Sequence, residues 1–199
     1  MTRRARLSPD AVVDAAATIA DDSGLEALTL AAVAAALGVR TPSLYAHVGG
    51  FDDLRRRLGI RGAQDLERLL GQAAVGRSQR AALTAAAHAY RRYAHEHPGT
   101  YAAAQRAPDP ADELAVTAAA RVVDVLRAVL DGYDVRGEDA VHAIRAIRCG
   151  LHGFVALEAA GGFGMPESVD ESFARMLEIL DAGLRATTPS AAAARARGR

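Results

Sequence analysis

The residues best suited to chemistry lie in one stretch of this chain. Thr29 comes first, followed by Arg40, Thr41, Pro42, Ser43, Tyr45 and His47. No nucleophile–base pair is among them, and no carboxylate cluster. The set suits binding: a guanidinium can fork onto a guanine edge or a phosphate, and hydroxyls can donate to phosphate oxygens or base edges. The partner this implies is double-stranded DNA.

The elements that must position these side chains follow from local signals. Thr29 reads as the N-cap of a helix built from the Ala-rich run after it. Gly38 falls where a left-handed residue is needed to end that helix. Thr41-Pro42 then restarts a helix, with Thr as N-cap and Pro at the first helical position. Two short helices around a tight turn make a helix-turn-helix, whose second helix can enter a major groove by its N-terminal residues. Tyr45 and His47 share the exposed side of Thr41 and Ser43. Leu44 and Val48 face the other way, toward Val33 and Leu37. The alternative is a solvent-facing helix end with a Thr cap. The N-terminal Arg3, Arg4 and Arg6 read either as an arm along the minor groove or phosphates or as a basic tail that is merely soluble. Thr29 can offer its hydroxyl and an N–H to phosphate while serving as a cap.

Bulk composition narrows the rest. The chain has 199 residues, half of them hydrophobic, with Ala dominant and Trp absent. That is enough for one or two small domains with a sizeable core, and it reads as all-helical. The formal net charge is zero and every basic residue other than His is Arg, so global charge does not advertise nucleic-acid binding. Cys149 is the only cysteine, which excludes an intrachain disulfide. Neither a signal peptide nor an apolar run of ~20 residues is present, so the reading is cytoplasmic with no membrane partner. His88, His95, His97, His142 and His152 show no metal-ligand spacing, and no metal or cofactor is expected. Cys149, His152 and Glu158 form no recognisable triad, and no Gly-rich phosphate loop follows a strand, so an enzyme is not expected.

About nine helices are expected. Ser8-Pro9-Asp10 opens the first, which carries Val12, Ala15, Ala16 and Ile19 at helical spacing and ends at Ser23-Gly24. The helix-turn-helix supplies the next two. Gly49-Gly50 breaks the chain before a fourth that begins near Phe51, with Asp52 and Asp53 in its first turn. Ser78 caps a fifth running to about Glu96, and a short sixth covers about Thr100 to Gln105. Asp109-Pro110 opens a seventh that ends at Asp131-Gly132. An eighth runs from Gly137-Glu138 to Gly161-Gly162. Ser168-Val169-Asp170-Glu171 is a capping box for the last. The tail after Thr187 reads as disordered.

Leu28-Thr29-Leu30, Ala34 through Gly38-Val39, Pro42-Ser43-Leu44-Tyr45-Ala46-His47-Val48 and Asp52-Asp53-Leu54 stand in the order and spacing of TetR-family transcriptional regulators, and residues 8 to 60 resemble that family. Leu151-His152-Gly153-Phe154, followed by Leu157-Glu158, resembles the Trp-His-Gly motif of one C-terminal domain type, with Leu151 at the Trp position. The family often has Asn-Lys after the recognition helix, where the Lys approaches a phosphate. Here Gly49-Gly50 stands instead, so the contact falls to backbone N–H groups around Gly50 at the start of the next helix, or is absent; Arg55 or Arg56 are substitutes.

The resemblance implies a DNA-binding head over residues 1–50, a ligand-binding and dimerising body over 51–187, and a tail over 188–199. It implies a homodimeric repressor on a palindromic operator, released by a small-molecule effector; the alternative is a ligand-binding or interaction module whose head is degenerate. His88, Tyr90, Tyr93, Tyr101, Gln105, Arg148, Phe154, Phe163 and Met165 are the expected pocket residues, since aromatics with a few polar groups suit an apolar site; ordinary core packing is the competing reading. Gly150 and Gly153, costly inside a helix, signal close helix approach. With Leu157, Met176, Ile179, Leu180 and Leu184 they form the expected dimer interface, against close packing within one subunit.

Overall fold

A computed structural model describes residues 7–187. The expectations for Arg3, Arg4, Arg6 and the tail 188–199 lie outside the described residues. The described residues form eight α-helices and two 3-10 segments, and no strand. These are α1 (Pro9–Ser23), a 3-10 turn (Leu25–Ala27), α2 (Leu30–Ala36), a 3-10 helix (Thr41–Ala46), α3 (Phe51–Ala74), α4 (Gln79–Glu96), α5 (Pro98–Ala104), α6 (Glu113–Asp131), α7 (Gly137–Ala159) and α8 (Val169–Thr187). No described helix is long and apolar enough to cross a membrane.

The chain packs as two compact units. One holds the residues up to Leu66 with Tyr93–Ala120; the other holds Glu67–Arg92 with the residues from Arg121 on.

In the first unit, Ser8 caps α1 by accepting the Ala11 N–H at 3.1 Å. Val12, Ala16 and Ala20 of α1 are fully buried. They pack with Leu28, Val33, Leu44, Val48, Leu54 and Leu58 in one core cluster. Burying such aliphatic side chains contributes roughly 1.5–3 kcal/mol each, which holds the head together. The short α5 lies against α1 and α3 through glycines. A Cβ on Gly99 would sit 2.6 Å from the Ala20 Cβ, one on Gly59 2.9 Å from the Ala103 carbonyl oxygen, and one on Gly62 2.6 Å from the Thr100 carbonyl oxygen. These backbones are closer than side chains allow.

The second unit is built on α7 and α8 with the adjoining parts of α4 and α6. Leu130, Ile147, Leu151, Phe173 and Leu177 fill its interior. Arg91 is held there in a cage. Its guanidinium lies 5.6 Å from the Phe154 ring centroid and 4.9 Å from that of Phe173. It forks onto Glu158 at 2.9 and 2.5 Å and also pairs with Asp170 at 2.7 Å. Cation–π contact and ion pairing together compensate the loss of water.

Two boundaries and one cap differ from the sequence reading. The helix expected from Pro110 begins at Glu113. Asp112 caps it, accepting the Ala115 N–H at 3.2 Å, while Asp109 accepts the Ala111 N–H at 2.9 Å and shapes the preceding turn. The helix expected from Thr100 begins at Pro98, with Pro in its first turn, where no N–H is needed. At α8, Ser168 accepts the Glu171 N–H at 3.3 Å, but the Glu171 carboxylate is turned to Arg175 at 2.6 Å.

Candidate nucleic-acid interface

The helix-turn-helix is built as its residues require. Thr29 Oγ1 accepts the Ala32 N–H at 3.0 Å and starts α2. At the other end Gly38 has φ +65. Its N–H reaches the Ala35 carbonyl at 3.1 Å, and the Val39 N–H reaches the Ala34 carbonyl at 2.9 Å. This paired 6→1 and 5→2 closure is the Schellman motif, which satisfies two carbonyls at the helix end.

The segment after the turn is a 3-10 helix rather than an α-helix. Its cap is the extended Arg40, and Thr41 is its first residue instead of its N-cap. The Ser43 N–H bonds the Arg40 carbonyl at 2.9 Å and the His47 N–H bonds the Leu44 carbonyl at 2.8 Å. Six residues with Pro42 near the start favour these tighter i→i+3 bonds, which suit short pieces.

The outer face follows the sequence reading only in part. Arg40, Pro42, Ser43 and Tyr45 are exposed, Tyr45 by 60%, while Thr41 and His47 are half-buried. Leu44 and Val48 are sealed beneath with Val33, and Leu37 packs against them. Thr29 is exposed, so its hydroxyl serves the cap while remaining reachable. The result is a ridge of one guanidinium, hydroxyls and a phenol on a rigid base.

At the far end of the ridge, Gly50 has φ +106 and begins the turn into α3. The Gly49 N–H donates to Asp53 Oδ2 at 2.9 Å. Asp53 also accepts from Arg57 at 2.8 Å and from Arg56 at 3.4 Å. Burial alone would raise the Asp53 carboxyl, but the Gly49 N–H and the guanidinium of Arg57, then Arg56, hold it below the usual carboxylate range. The Gly49 amide is thus occupied internally. Arg56 is committed too: it forks onto Asp112, with Nη2 2.6 Å from Oδ1. Arg55 is exposed, with its guanidinium 6.0 Å from the Phe51 ring. The Asp53–Gly49 and Arg56–Asp112 links escaped the sequence reading. An Asp three residues into a helix after Gly-Gly was the available signal for the first; the second has no local signal.

The expected pocket residues fall into both units. Tyr93 and Tyr101 are buried in the first, and the Gln105 amide donates to the Tyr101 carbonyl at 3.3 Å. In the second, His88 lies edge-on to Phe173 at 5.3 Å, Phe154 lies 4.8 Å from Phe163, Tyr90 is buried, and Arg148 and Met165 are exposed. Of the expected interface residues, Gly150 faces Met176 and Leu180 within the unit, since a Cβ there would meet their side chains at 3.6 and 3.8 Å. Leu184 is buried in that unit as well, whereas Leu157 and Ile179 are 52% and 72% exposed. Among the described residues no group of three or more His, Cys, Asp or Glu is placed to hold a metal ion.

Comparison with known proteins matches this architecture. Residues 83–180 fit the family model described as the tetracyclin repressor-like C-terminal domain. The HTH-type transcriptional regulator Rv0681 of Mycobacterium tuberculosis is 39% identical over 189 residues, covering 94% of this chain and 86% of the relative. The chain belongs to the TetR family of helix-turn-helix transcriptional regulators. YobS, an HTH-type regulator of Bacillus subtilis, is 35% identical over 185 residues, covering 92% of this chain and 96% of the relative. The solved structure of the TetR-family protein ActR from Streptomyces coelicolor in complex with (S)-DNPA superposes with a TM-score of 0.68 at 22% identity, covering 92% of this chain and 98% of that one. This TetR-family chain is therefore a DNA-binding regulator and not an enzyme.

Proposed function

We propose that the protein is a homodimeric repressor that holds a palindromic operator and lets it go when a small molecule binds. The observation that carries the reading is the exposed ridge Arg40, Ser43 and Tyr45 on a head whose underside, Leu44 and Val48, is fully packed. In this reading residues 1–50 contact DNA, with Arg3, Arg4, Arg6, Thr29, Thr41, Pro42, His47 and Gly50 supporting the ridge, and residues 51–187 carry ligand binding and pairing.

Pairing is supported by the outer face of α7 and α8. Leu157 and Ile179 are exposed there, and a Cβ on Gly153 or Gly183 would meet nothing within 4 Å. Large apolar side chains in water beside open glycine positions suit a self-complementary two-fold interface. Ligand response is supported by analogy with ActR, which is solved with (S)-DNPA bound. The mechanism is linkage: a ligand that prefers a conformation with mismatched half-site spacing lowers DNA affinity by its differential binding free energy, and DNA weakens ligand binding by the same factor.

The test is selection of genomic DNA fragments by the purified chain at about physiological salt, followed by sequencing. Enrichment of one short palindrome is the expected result. A chain that retains no fragment above non-specific levels, before and after removal of any co-purified small molecule, would sink the reading.

A further inference from the structure

In the first unit, α3, α5, the segment after α5 and the start of α6 border a half-open cavity of about 630 Å³, within the usual size of small-molecule sites. It exists because small residues, among them Gly59, Ala63, Ala115 and Ala119, line it. With Ile60 these form an apolar floor within a lining that also carries three arginines and three aspartates. None of the nine residues expected to form a ligand pocket is among those lining it.

Its rim is charged, and the charges are not evenly committed. Arg56 is forked onto Asp112, which also caps α6. Asp109 accepts the Ala111 N–H at 2.9 Å. Asp52 lies in the first turn of α3, where the helix dipole already favours a carboxylate. Arg55 and Arg106 also line the cavity, are exposed, and make no ion pair among the described residues. An apolar floor with two guanidiniums outside any ion pair, that of Arg55 over the Phe51 ring, suits a molecule with an apolar body and a planar anionic head, because the guanidinium fork matches a carboxylate.

We propose that this cavity binds a small organic carboxylate, its tail on the alanine floor and its head on Arg55 and Arg106. The proposal names the class of effector, and only its final step rests on the repressor reading. Arg56 borders the cavity and touches Asp53, whose carboxylate holds the Gly49 N–H directly after the recognition segment. A carboxylate seated on Arg55 places its charge beside Arg56 and so beside the Arg56–Asp53–Gly49 chain.

The experiment is calorimetric titration of the full chain with octanoate, with octan-1-ol as the uncharged control, repeated on the Arg55→Ala/Arg106→Ala double variant. Octanoate is expected to bind once per chain and octan-1-ol to bind more weakly. The double variant is expected to lose about tenfold or more in octanoate affinity, as follows from removing charge-assisted hydrogen bonds. Because both arginines are exposed and make no ion pair among the described residues, its melting temperature is expected to stay close to that of the parent, which separates lost binding from lost folding. No octanoate binding, equal binding of octan-1-ol, or an unaltered affinity in the double variant overturns the site. Failure of octanoate alongside intact palindrome binding overturns the site and leaves the repressor reading in place. Octanoate binding that leaves the operator complex intact supports the site and overturns its role as an effector site.

Discussion

Asp21, near the C-terminal end of α1, caps α5, a helix that begins far along the chain. Its carboxylate accepts the Thr100 N–H at 2.7 Å and the Thr100 hydroxyl at 3.2 Å, 79 residues on, and lies 3.0 Å from His97 Nδ1. Asp21 is largely buried, so an uncompensated loss of these bonds is felt in full. Asp21→Ala is expected to destabilise the protein by about 1–3 kcal/mol, read from denaturant midpoints. Asp21→Asn, which keeps an acceptor, is expected to lose less. Equal midpoints for all three proteins would show that the cap contributes nothing.

Gly99 makes the companion contact. Its missing side chain lets α5 press on the Ala20 backbone, where a Cβ would collide. Gly99→Ala is expected to cost about 1–3 kcal/mol through forced displacement of α5, despite the better helix propensity of Ala. A thermal melt would show it, and an unchanged or raised melting temperature would mean the two helices part easily.

The head separates recognition from folding by residue. Arg40→Ala and Tyr45→Ala remove exposed groups and are expected to leave stability within about 0.5 kcal/mol. Arg40→Ala is expected to weaken operator binding by about 1–3 kcal/mol, as for a guanidinium on a base edge. Leu44→Ala empties a fully buried site and is expected to cost about 2–5 kcal/mol of stability. Fluorescence anisotropy on the selected palindrome, beside chemical denaturation, checks the division. Undiminished affinity for the palindrome in both surface variants would show that Arg40 and Tyr45 do not contact it.

What was legible in the sequence was local. Ser8, Thr29 and Gly38 declared their caps because capping needs a particular residue within three or four positions of its partner. The underside Val33, Leu44 and Val48 was readable from helical spacing, and that reading survived the change from α to 3-10 geometry because Leu44 faces inward in both. The start of α6 was misplaced because Pro108-Asp109-Pro110-Ala111-Asp112 offers two Asp residues, each able to cap, and only the fold shows which one ends the turn. The Asp21–Thr100 and Arg56–Asp112 links were invisible, since pairs so far apart leave no periodic trace. Aromatic side chains such as Tyr93 and Tyr101 read equally as pocket lining or as core packing, and both are buried. The cavity beside Arg106 is made by residues that are small, and absence of bulk at scattered positions has no signature in a sequence.

Stability should fall at both ends of the pH range through one buried pair. The Tyr133 hydroxyl donates to Asp181 Oδ1 at 2.6 Å, and Arg185 donates to Oδ2 at 3.0 Å. Burial pushes the Asp181 carboxyl up, but the Arg185 and Tyr133 hydrogen bonds outweigh it and hold it below the usual range. Burial, then the hydrogen bond to Asp181 and its charge, push the Tyr133 phenol well up. A carboxyl lowered in the folded state contributes stability that is complete above its unfolded value, about 3.9, and is lost as pH falls through the folded value. A phenol raised in the folded state contributes stability that is complete below its unfolded value, about 10, and declines as pH rises above it. The wild-type profile is therefore expected to be flat from these two groups between about pH 5 and 9 and to drop on either side. Tyr133→Phe is expected to lose about 1–3 kcal/mol at neutral pH, since Asp181 is left short of a donor, and to show a shallower alkaline drop. Asp181→Asn is expected to flatten the acid side instead, with Asp53 and Asp112, both also held low, supplying what remains of it. Urea midpoints measured across pH would test this, and parallel profiles for wild type and both variants would show that the pair carries no proton linkage.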